Sequence, residues 1–417
     1  MYINKITLKN FRNFRDSAIS FVHNDLDYSS LKFPKPKITN INLLLGDNGL
    51  GKTSMLKAIA LAALGPAVGD SGIYPYRLIR RGPEGESKNK IKSDMAVITA
   101  EFTPHDQDNI PGIAVLKSHI TITQRGDLEL LRWADGDDQH WHPIFNASSS
   151  AFFFVGYGVN RRVEKQENVD LGGRYSSSFI RAQRVKSLFE EAYSLIPLNI
   201  WLPKMEKSNP LLYEKVIELI NLFMGKGHFN FTGEMEGGEY IFNRKGLKVP
   251  FPALSDGYRA FLGWVGDLLY HVCITCSSEK ELVDNKGIVL VDEIDLHLHP
   301  KWQMTILPVI AKVLPNIQFI LTSHSPLIVG SLEWMNIITM QPISYQATSM
   351  KRMPHGIHGL DADQILLTKF FGMTSTIAES KQRRLKQLTL KARRGDTDAA
   401  KKLLLLMSKG EESYDQI

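Results

Sequence analysis

The chain is poor in cysteine, with two in 417 residues. That excludes a disulfide framework and suits a reducing cytoplasm. Long apolar runs are also missing. The most apolar stretch, Ala260–Thr275, is interrupted by Asp267 and His271, so nothing reaches the ~18 residues of a membrane span. The first residues alternate strand-like side chains with Lys5, Lys9 and Arg12 and offer no uninterrupted signal segment. There is no internal repeat and no heptad pattern long enough for a coiled-coil arm, which excludes solenoids and extended coils. What is there is ordinary globular material, 43% hydrophobic and 23% charged, with enough apolar side chains for a substantial core. At about 150 residues per domain, the length allows two or three domains, or one large one with insertions.

Acidic residues are outnumbered 44 to 50, giving a net charge of +6 and a pI near 9.0, a balance that permits nucleic acid without demanding it. The excess is uneven. From Thr376 onward ten basic residues face six acidic ones, so the tail carries four of the six net charges. A second basic cluster, Arg77, Arg80, Arg81, Lys88, Lys90 and Lys92, lies in a Gly/Pro/Ser-rich stretch that reads as a surface loop. Both clusters also fit simple solvated faces.

Apolar alternation predicts strands at Ile3–Leu8, Val97–Phe102, Ile113–Thr123 and Leu128–Trp133, the last three as antiparallel hairpins, and a buried strand at Ser148–Val155. Short apolar strands are expected at Ile41–Leu45, Gly287–Val291 and Gln318–Leu321. Helical periodicity covers Met55–Leu64, Arg181–Leu195, Leu211–Met224 and Trp302–Leu314. Strands alternating with helices late in the chain, and hairpins early, indicate an α/β core decorated with β structure.

Gly46-Asp47-Asn48-Gly49-Leu50-Gly51-Lys52-Thr53 fits G-x-x-x-x-G-K-[ST] in full, follows an expected strand and, continuing into Ser54, opens an expected helix. Glycines let backbone N–H groups turn inward around phosphate oxygens, and the helix N-terminus points its positive end at them. Lys52 is placed to reach the β- and γ-phosphates and the Thr53 hydroxyl to ligate Mg²⁺, so ATP and Mg²⁺ are the expected cofactors. Ile288-Val289-Leu290-Val291-Asp292-Glu293 is an apolar strand ending in two acids. Asp292 can hold Mg²⁺ and Glu293 can polarise an attacking water as general base. Phe319–Leu321 runs into Thr322-Ser323-His324-Ser325-Pro326, where His324 is suited to sense or stabilise the γ-phosphate.

In this order the motifs resemble the ABC-type ATPase superfamily, in its soluble branch with the SMC and RecF-like proteins. Lys9-Asn10-Phe11-Arg12-Asn13-Phe14 resembles that branch's first-strand motif, and Leu254-Ser255-Asp256-Gly257-Tyr258-Arg259 its signature. Asp292 to Pro300 resembles the Walker B and D-loop block, and Thr322–Pro326 the H-switch. The resemblance implies a head-to-tail dimer around two ATP molecules. Ser255 would cap the helix that begins near Asp256 and, with Gly257, face the partner's γ-phosphate. Arg12 is placed near the nucleotide only by analogy. Asp256, Tyr258, Arg259 and His299 depart from the usual residues, no Q-loop glutamine is recognisable, and Leu254 follows Lys52 by only 202 positions, too few for a long arm.

Tyr157-Gly158, Arg161, the Asp-Glu-Ile-Asp-x-His-Leu-His-Pro block, and the tail from Gly359 to Gln364 and on to Phe371-Gly372 are most similar to ATPases of bacterial anti-phage modules, the PtuA family of Septu systems and retrons. That family implies control of a partner HNH nuclease of the PtuB kind, homo-oligomerisation, no membrane, and nucleic acid as a further partner class. Turnover would be slow, since a sensor needs a long-lived bound state. The alternatives are a RecF/SMC-like DNA-binding ATPase of recombination and repair, the energising subunit of a membrane transporter, and a nucleotide-gated scaffold. Cys273 and Cys276 share one face of an apolar helix-like run and read as core, with no second pair to complete a zinc site. His297 and His299 read as D-loop rather than metal ligands. Asp361-Ala362-Asp363 lacks the flanking sequence of a Toprim nuclease, so no intrinsic nuclease is expected.

The expected architecture is therefore α/β: an ABC-type (P-loop) ATPase head with an antiparallel β subdomain, a helical signature lobe and a C-terminal helical appendage. Its segments are 1–155 with the phosphate loop and β subdomain, 156–270 with the signature, 271–340 with Walker B, D-loop and H-switch, and a basic appendage at 341–417.

Overall fold

The computed structural model describes all residues except 32, 74–75, 82–93, 135–137, 147–148, 150, 164–179, 226–228, 276–280, 344–346, 358, 374, 377–378 and 410–417. The expectations on Lys88, Lys90, Lys92, Ser148 and Cys276 fall outside those residues. By internal contacts the chain divides into Met1–Gly359 and Leu360–Ile417.

The first unit opens with β1 (Tyr2–Phe11), β2 (Phe14–Ser20) and β3 (Ile41–Leu45), followed by helix α1 (Lys52–Leu64). Then come β4 (Met95–Thr103), β5 (Leu116–Arg125), β6 (Leu128–Trp133), β7 (Phe154–Tyr157), β8 (Arg162–Val163) and β9 (Ser194–Leu195). Helices α2 (Leu198–Ser208) and α3 (Pro210–Met224) lead into β10 (Asn230–Glu236), β11 (Glu239–Arg244) and β12 (Leu247–Pro250). The long α4 (Asp256–Thr275), β13 (Gly287–Val291), α5 (Ile306–Val313), β14 (Ile317–Ser323), β15 (Ile337–Ile343) and β16 (Ala347–Lys351) complete it.

Two sheets enclose the core. An antiparallel sheet runs β2-β1-β4-β5-β6, and a six-stranded sheet runs β16-β15-β3-β14-β13-β7, parallel except for its β16 edge. Strands β3, β14 and β13 of the second sheet are short and buried throughout, as parallel strands covered on both faces must be. Helix α1 (Ala58, Ile59, Leu61, Leu64) is buried nearly all round, being packed among both sheets rather than on a surface. The register of the parallel strands positions the site. Leu45 pairs with Ser323, Leu321 with Val291, and Val291 with Tyr157, so four strands end within two residues of one another. Everything that follows them shares one edge, where open α/β sheets bind ligands.

Several expectations change. The helix expected over Arg181–Leu195 ends at Val185, with one further turn to Leu188, and Ser194–Leu195 is strand. Tertiary bonds take over there, because the Ser187 hydroxyl accepts from Gly158 N (2.9 Å) and buried Asp267 accepts from Ile196 N (2.8 Å). The helix expected over Trp302–Leu314 is broken between Gln303 and Ile306. Pro308 has no N–H for the Met304 carbonyl and its ring clashes there, so it is tolerated only in the first turn of a new helix. The strand expected to end at Val155 begins at Phe154, because Phe152 has φ 55 and is held by Asp108. Within the signature lobe the sheet β10-β11-β12 was not expected, although Gly237-Gly238 is a hairpin-turn dipeptide. Residues 341–343 and 347–351, expected in the appendage, instead belong to the edge pair β15–β16, whose partner β3 leads into the Gly46–Thr53 loop.

The second unit has a short helix at Ala362–Leu366, then α6 (Glu379–Arg393) and α7 (Thr397–Lys409). Gly395 (φ 94) turns the chain between the two helices, and the Asp396 side chain caps α7 by accepting from Ala399 N (2.9 Å). Arg383, Lys386, Lys391, Arg393, Arg394, Lys401 and Lys402 are exposed.

Candidate functional site

The loop Gly46–Gly51 leaves the end of β3 and enters α1. Gly49 and Gly51 have φ 81 and 94, backbone that side chains with a Cβ resist. A Cβ on Gly46 would lie 2.8 Å from the Met340 carbonyl oxygen, so β15 fixes the start of the loop. Lys52 is buried, and its Nζ donates to the carbonyls of Gly46 (2.8 Å) and Asp47 (3.1 Å), arching back over the loop. Asn13 donates to Gly49 O from the turn between β1 and β2. Burial lowers the Lys52 pKa, opposed by the charges of Asp292, Glu293, Asp47 and Asp295. Ser54 is buried beneath the helix start, whereas Thr53 is open.

Asp292 follows β13, is almost fully buried and has both carboxylate oxygens occupied. Thr53 Oγ1 donates to Oδ2 and Thr322 Oγ1 to Oδ1, each at 2.6 Å. The same Thr322 hydroxyl accepts from Glu293 N at 2.7 Å. Arg161 Nη1 donates to Asp292 O (2.7 Å) and Nη2 to Glu293 O (2.9 Å). Burial pulls the Arg161 pKa down to about 10, against the pull of Asp292, Asp295 and Glu293. His324 lies just beyond β14, and its buried Nε2 has no hydrogen-bond partner among the described residues. The structure thus brings Gly46–Thr53, Asp292, Glu293 and His324 to one sheet edge. Thr322 and Arg161 complete the cluster. Neither role was read from sequence: Thr322 lay inside a quoted motif, but Arg161 stands 131 positions from the carbonyl it binds.

The signature residues form a separate group. Ser255 precedes α4 and is exposed, and its hydroxyl makes no hydrogen bond among the described residues, so the capping bond expected of it is not formed. Asp256 pairs instead with Arg259 in the first turn. Gly257 packs against the D-loop of its own chain, where a Cβ would lie 2.5 Å from the His297 carbonyl oxygen. Among the described residues, no hydrogen bond joins Ser255 or Gly257 to the phosphate loop. Gln303 ties the D-loop to the H-switch, donating to Leu298 O (2.9 Å) and accepting from Ser325 Oγ (2.6 Å). A cavity of about 350 Å³ beside the phosphate loop is lined by Arg12, Asn13, Asn48, Arg80 and Arg81 among others, and Arg12 thus lies next to the loop as the resemblance implies. Cys273 is buried in α4.

The family AAA_21, described as "AAA domain, putative AbiEii toxin, Type IV TA system", matches residues 41–330, from β3 to just beyond the H-switch. The chain belongs to that family. Among individual relatives, the AAA_21 chain is 25% identical over 382 residues to a Septu protein PtuA of Bacillus mycoides (strain KBAB4), covering 91% of this chain and 46% of the relative. It is 37% identical over 127 residues to the Retron Vc95 probable ATPase of Vibrio cholerae serotype O1 biovar El Tor, covering 30% of this chain and 25% of the relative. It is 34% identical over 107 residues to the DNA replication and repair protein RecF of Idiomarina loihiensis (strain ATCC BAA-735 / DSM 15497 / L2-TR), covering 26% of this chain and 25% of the relative. The chain spans less than half the length of each of these three. The fold is an α/β fold with a phosphate-loop strand order, as the AAA_21 match implies, and the chain resembles PtuA. No helix of the described residues is long and apolar enough to cross a membrane.

Proposed function

We propose that this chain is an Mg²⁺-dependent ATPase that dimerises around ATP and controls a partner HNH nuclease, of the PtuB kind, in bacterial anti-phage defence. The observation that carries the ATPase reading is the chain of short bonds from Thr53 through Asp292 and Thr322 to the Glu293 backbone, beside a glycine loop already folded around Lys52. The residues fit both ligands. The Thr53 hydroxyl and Asp292 Oδ2 are adjacent oxygens of the kind that hold a hard cation, and the Lys52 ammonium, held by the carbonyls of Gly46 and Asp47, can exchange them for phosphate oxygens. When bound, Mg²⁺ supplies charge neutralisation at the β- and γ-oxygens. Lys52 binds the transferring phosphoryl group, Glu293 takes the proton of the attacking water, and His324, whose Nε2 has no hydrogen-bond partner among the described residues, reports the γ-phosphate.

Among the described residues no hydrogen bond joins Ser255 or Gly257 to the chain's own phosphate loop, and the exposed Ser255 hydroxyl just before α4 makes none. This supports a second copy as the owner of the phosphate they meet. The defence role and the nuclease partner rest on the resemblance to the Septu and retron proteins. In this reading turnover is slow and any cutting comes from the other chain. The test is equilibrium ATP binding and light scattering on Lys52→Ala and Glu293→Gln. Loss of ATP binding in the first and an ATP-stabilised dimer in the second are expected; normal binding by Lys52→Ala, or no longer-lived dimer with Glu293→Gln, refutes the mechanism. Co-purification with an HNH nuclease chain tests the partner separately.

A further inference from the structure

We propose that Arg161 is the positioning residue for both Walker B carboxylates, a part in hydrolysis that rests on the ATPase reading above. Consecutive carbonyls in an extended strand point to opposite sides. Those of Asp292 and Glu293 instead converge on one guanidinium, at 2.7 and 2.9 Å. They can do so because Glu293 has φ 47, a left-handed backbone that a residue with a Cβ adopts only when its surroundings impose it. Thr322 fixes the amide side of Glu293 and Arg161 the carbonyl side. The rigid planar fork matches two acceptors at once, which a lysine ammonium cannot do with the same geometry.

The loop presenting Arg161 is itself held at both ends. Gly158 N donates to Ser187 Oγ at 2.9 Å, and Val163 packs so closely on the signature helix that a Cβ on Gly263 would lie 2.4 Å from its Cγ2. Arg161 therefore stands between α4 and the end of β13. Its half-buried charge sits among Asp292, Glu293 and Asp295, and Asp295 Oδ1 is buried without a hydrogen-bond partner among the described residues. The guanidinium lets these acids crowd one site while setting the direction in which Glu293 leaves the strand.

The test is steady-state ATPase on the full chain with Arg161→Lys, Arg161→Ala, Glu293→Gln and the Arg161→Ala/Glu293→Gln double variant. Misplacing a general base by about 1 Å costs on the order of 100-fold. We expect kcat to fall roughly 10- to 100-fold in both Arg161 variants, with KM for ATP within about threefold of wild type. Added guanidinium ion should restore part of the Arg161→Ala rate. In the Glu293→Gln background Arg161→Ala should cost little more, since both changes disable one unit. If Arg161→Ala fails to fold, the kcat of Arg161→Lys carries the test. Unchanged kcat in Arg161→Lys, equal losses in kcat and ATP affinity, or full additivity with Glu293→Gln would overturn the proposal alone. If Lys52→Ala does not abolish the wild-type turnover, the ATPase reading falls and this inference with it.

Discussion

Thr322 is the most economical place to test the wiring of the site. Its side chain is fully buried and its hydroxyl makes two bonds, one to the Asp292 carboxylate (2.6 Å) and one from the Glu293 amide (2.7 Å). Thr322→Val keeps the shape and removes both. The bond to a charged group contributes about 1.5–3 kcal/mol, and an orphaned buried N–H costs about 1–3 kcal/mol, so a loss of roughly 3–5 kcal/mol is expected with no cavity to add to it. At about 2.1 cal/mol/K per residue, the unit Met1–Gly359 unfolds with an entropy of roughly 0.75 kcal/mol/K. The expected fall in Tm is therefore about 4–7 °C. Because Glu293 loses its amide anchor, kcat for ATP should fall at least about tenfold. Thr322→Ser keeps the hydroxyl and gives up one methyl, so about 1 kcal/mol and near-normal turnover are expected. Differential scanning calorimetry and steady-state ATPase on the three proteins decide the matter. A valine variant that melts within about 1 °C of wild type and turns over normally refutes the reasoning.

Other perturbations probe other parts of the molecule. Gly257→Ala places a Cβ 2.5 Å from the His297 carbonyl oxygen, so the first turn of α4 must shift; ATP-dependent dimers, read by light scattering in a Glu293→Gln background, should be lost while the monomer stays folded. His23 is fully buried against Asn4 (2.7 Å), and burial, only partly opposed by Asp25, pulls its pKa from 6.5 to about 4. On acidification the unfolded chain takes up the proton first, so His23 costs nothing above about pH 6.5 and destabilises progressively toward pH 4, by up to about 3 kcal/mol. Urea unfolding of His23→Gln should show a correspondingly shallower loss of stability across that window. Deleting Leu360–Ile417 should leave ATP binding within about threefold and weaken association with the partner nuclease or nucleic acid. A truncated chain that no longer folds would show that the tail belongs to the core.

Much of the candidate site's local geometry was legible because the pattern behind it is local. The glycines, Lys52 and Thr53 must be contiguous for one loop to wrap a phosphate and start a helix, and Asp292 and Glu293 must end a strand to reach it. Secondary structure was less legible where distant groups decide it. The turn at Phe152 answers to Asp108, and the helix after Arg181 stops where Ser187 is needed by Gly158. The three-stranded sheet in the signature lobe was missed although its Gly237-Gly238 turn was visible, since its short strands lie between stronger helical patterns.

The sequence by itself determined that the chain builds a glycine-rich strand-to-helix loop, an acidic strand end and a signature-like helix start, because each depends on neighbours a few residues apart. Only the tertiary structure decided which of them meet. Parallel pairing of β3, β14, β13 and β7 brings four strand ends within two residues of one another, so residues from 46 to 324 share one edge, and the start of α4 meets the D-loop where Gly257 packs against His297. The same pairing turns Thr322 into a bridge between two acids and brings Arg161 to carbonyls 131 and 132 positions away. A hydrogen bond is indifferent to the length of chain between its partners, and local sequence pattern carries no record of that length.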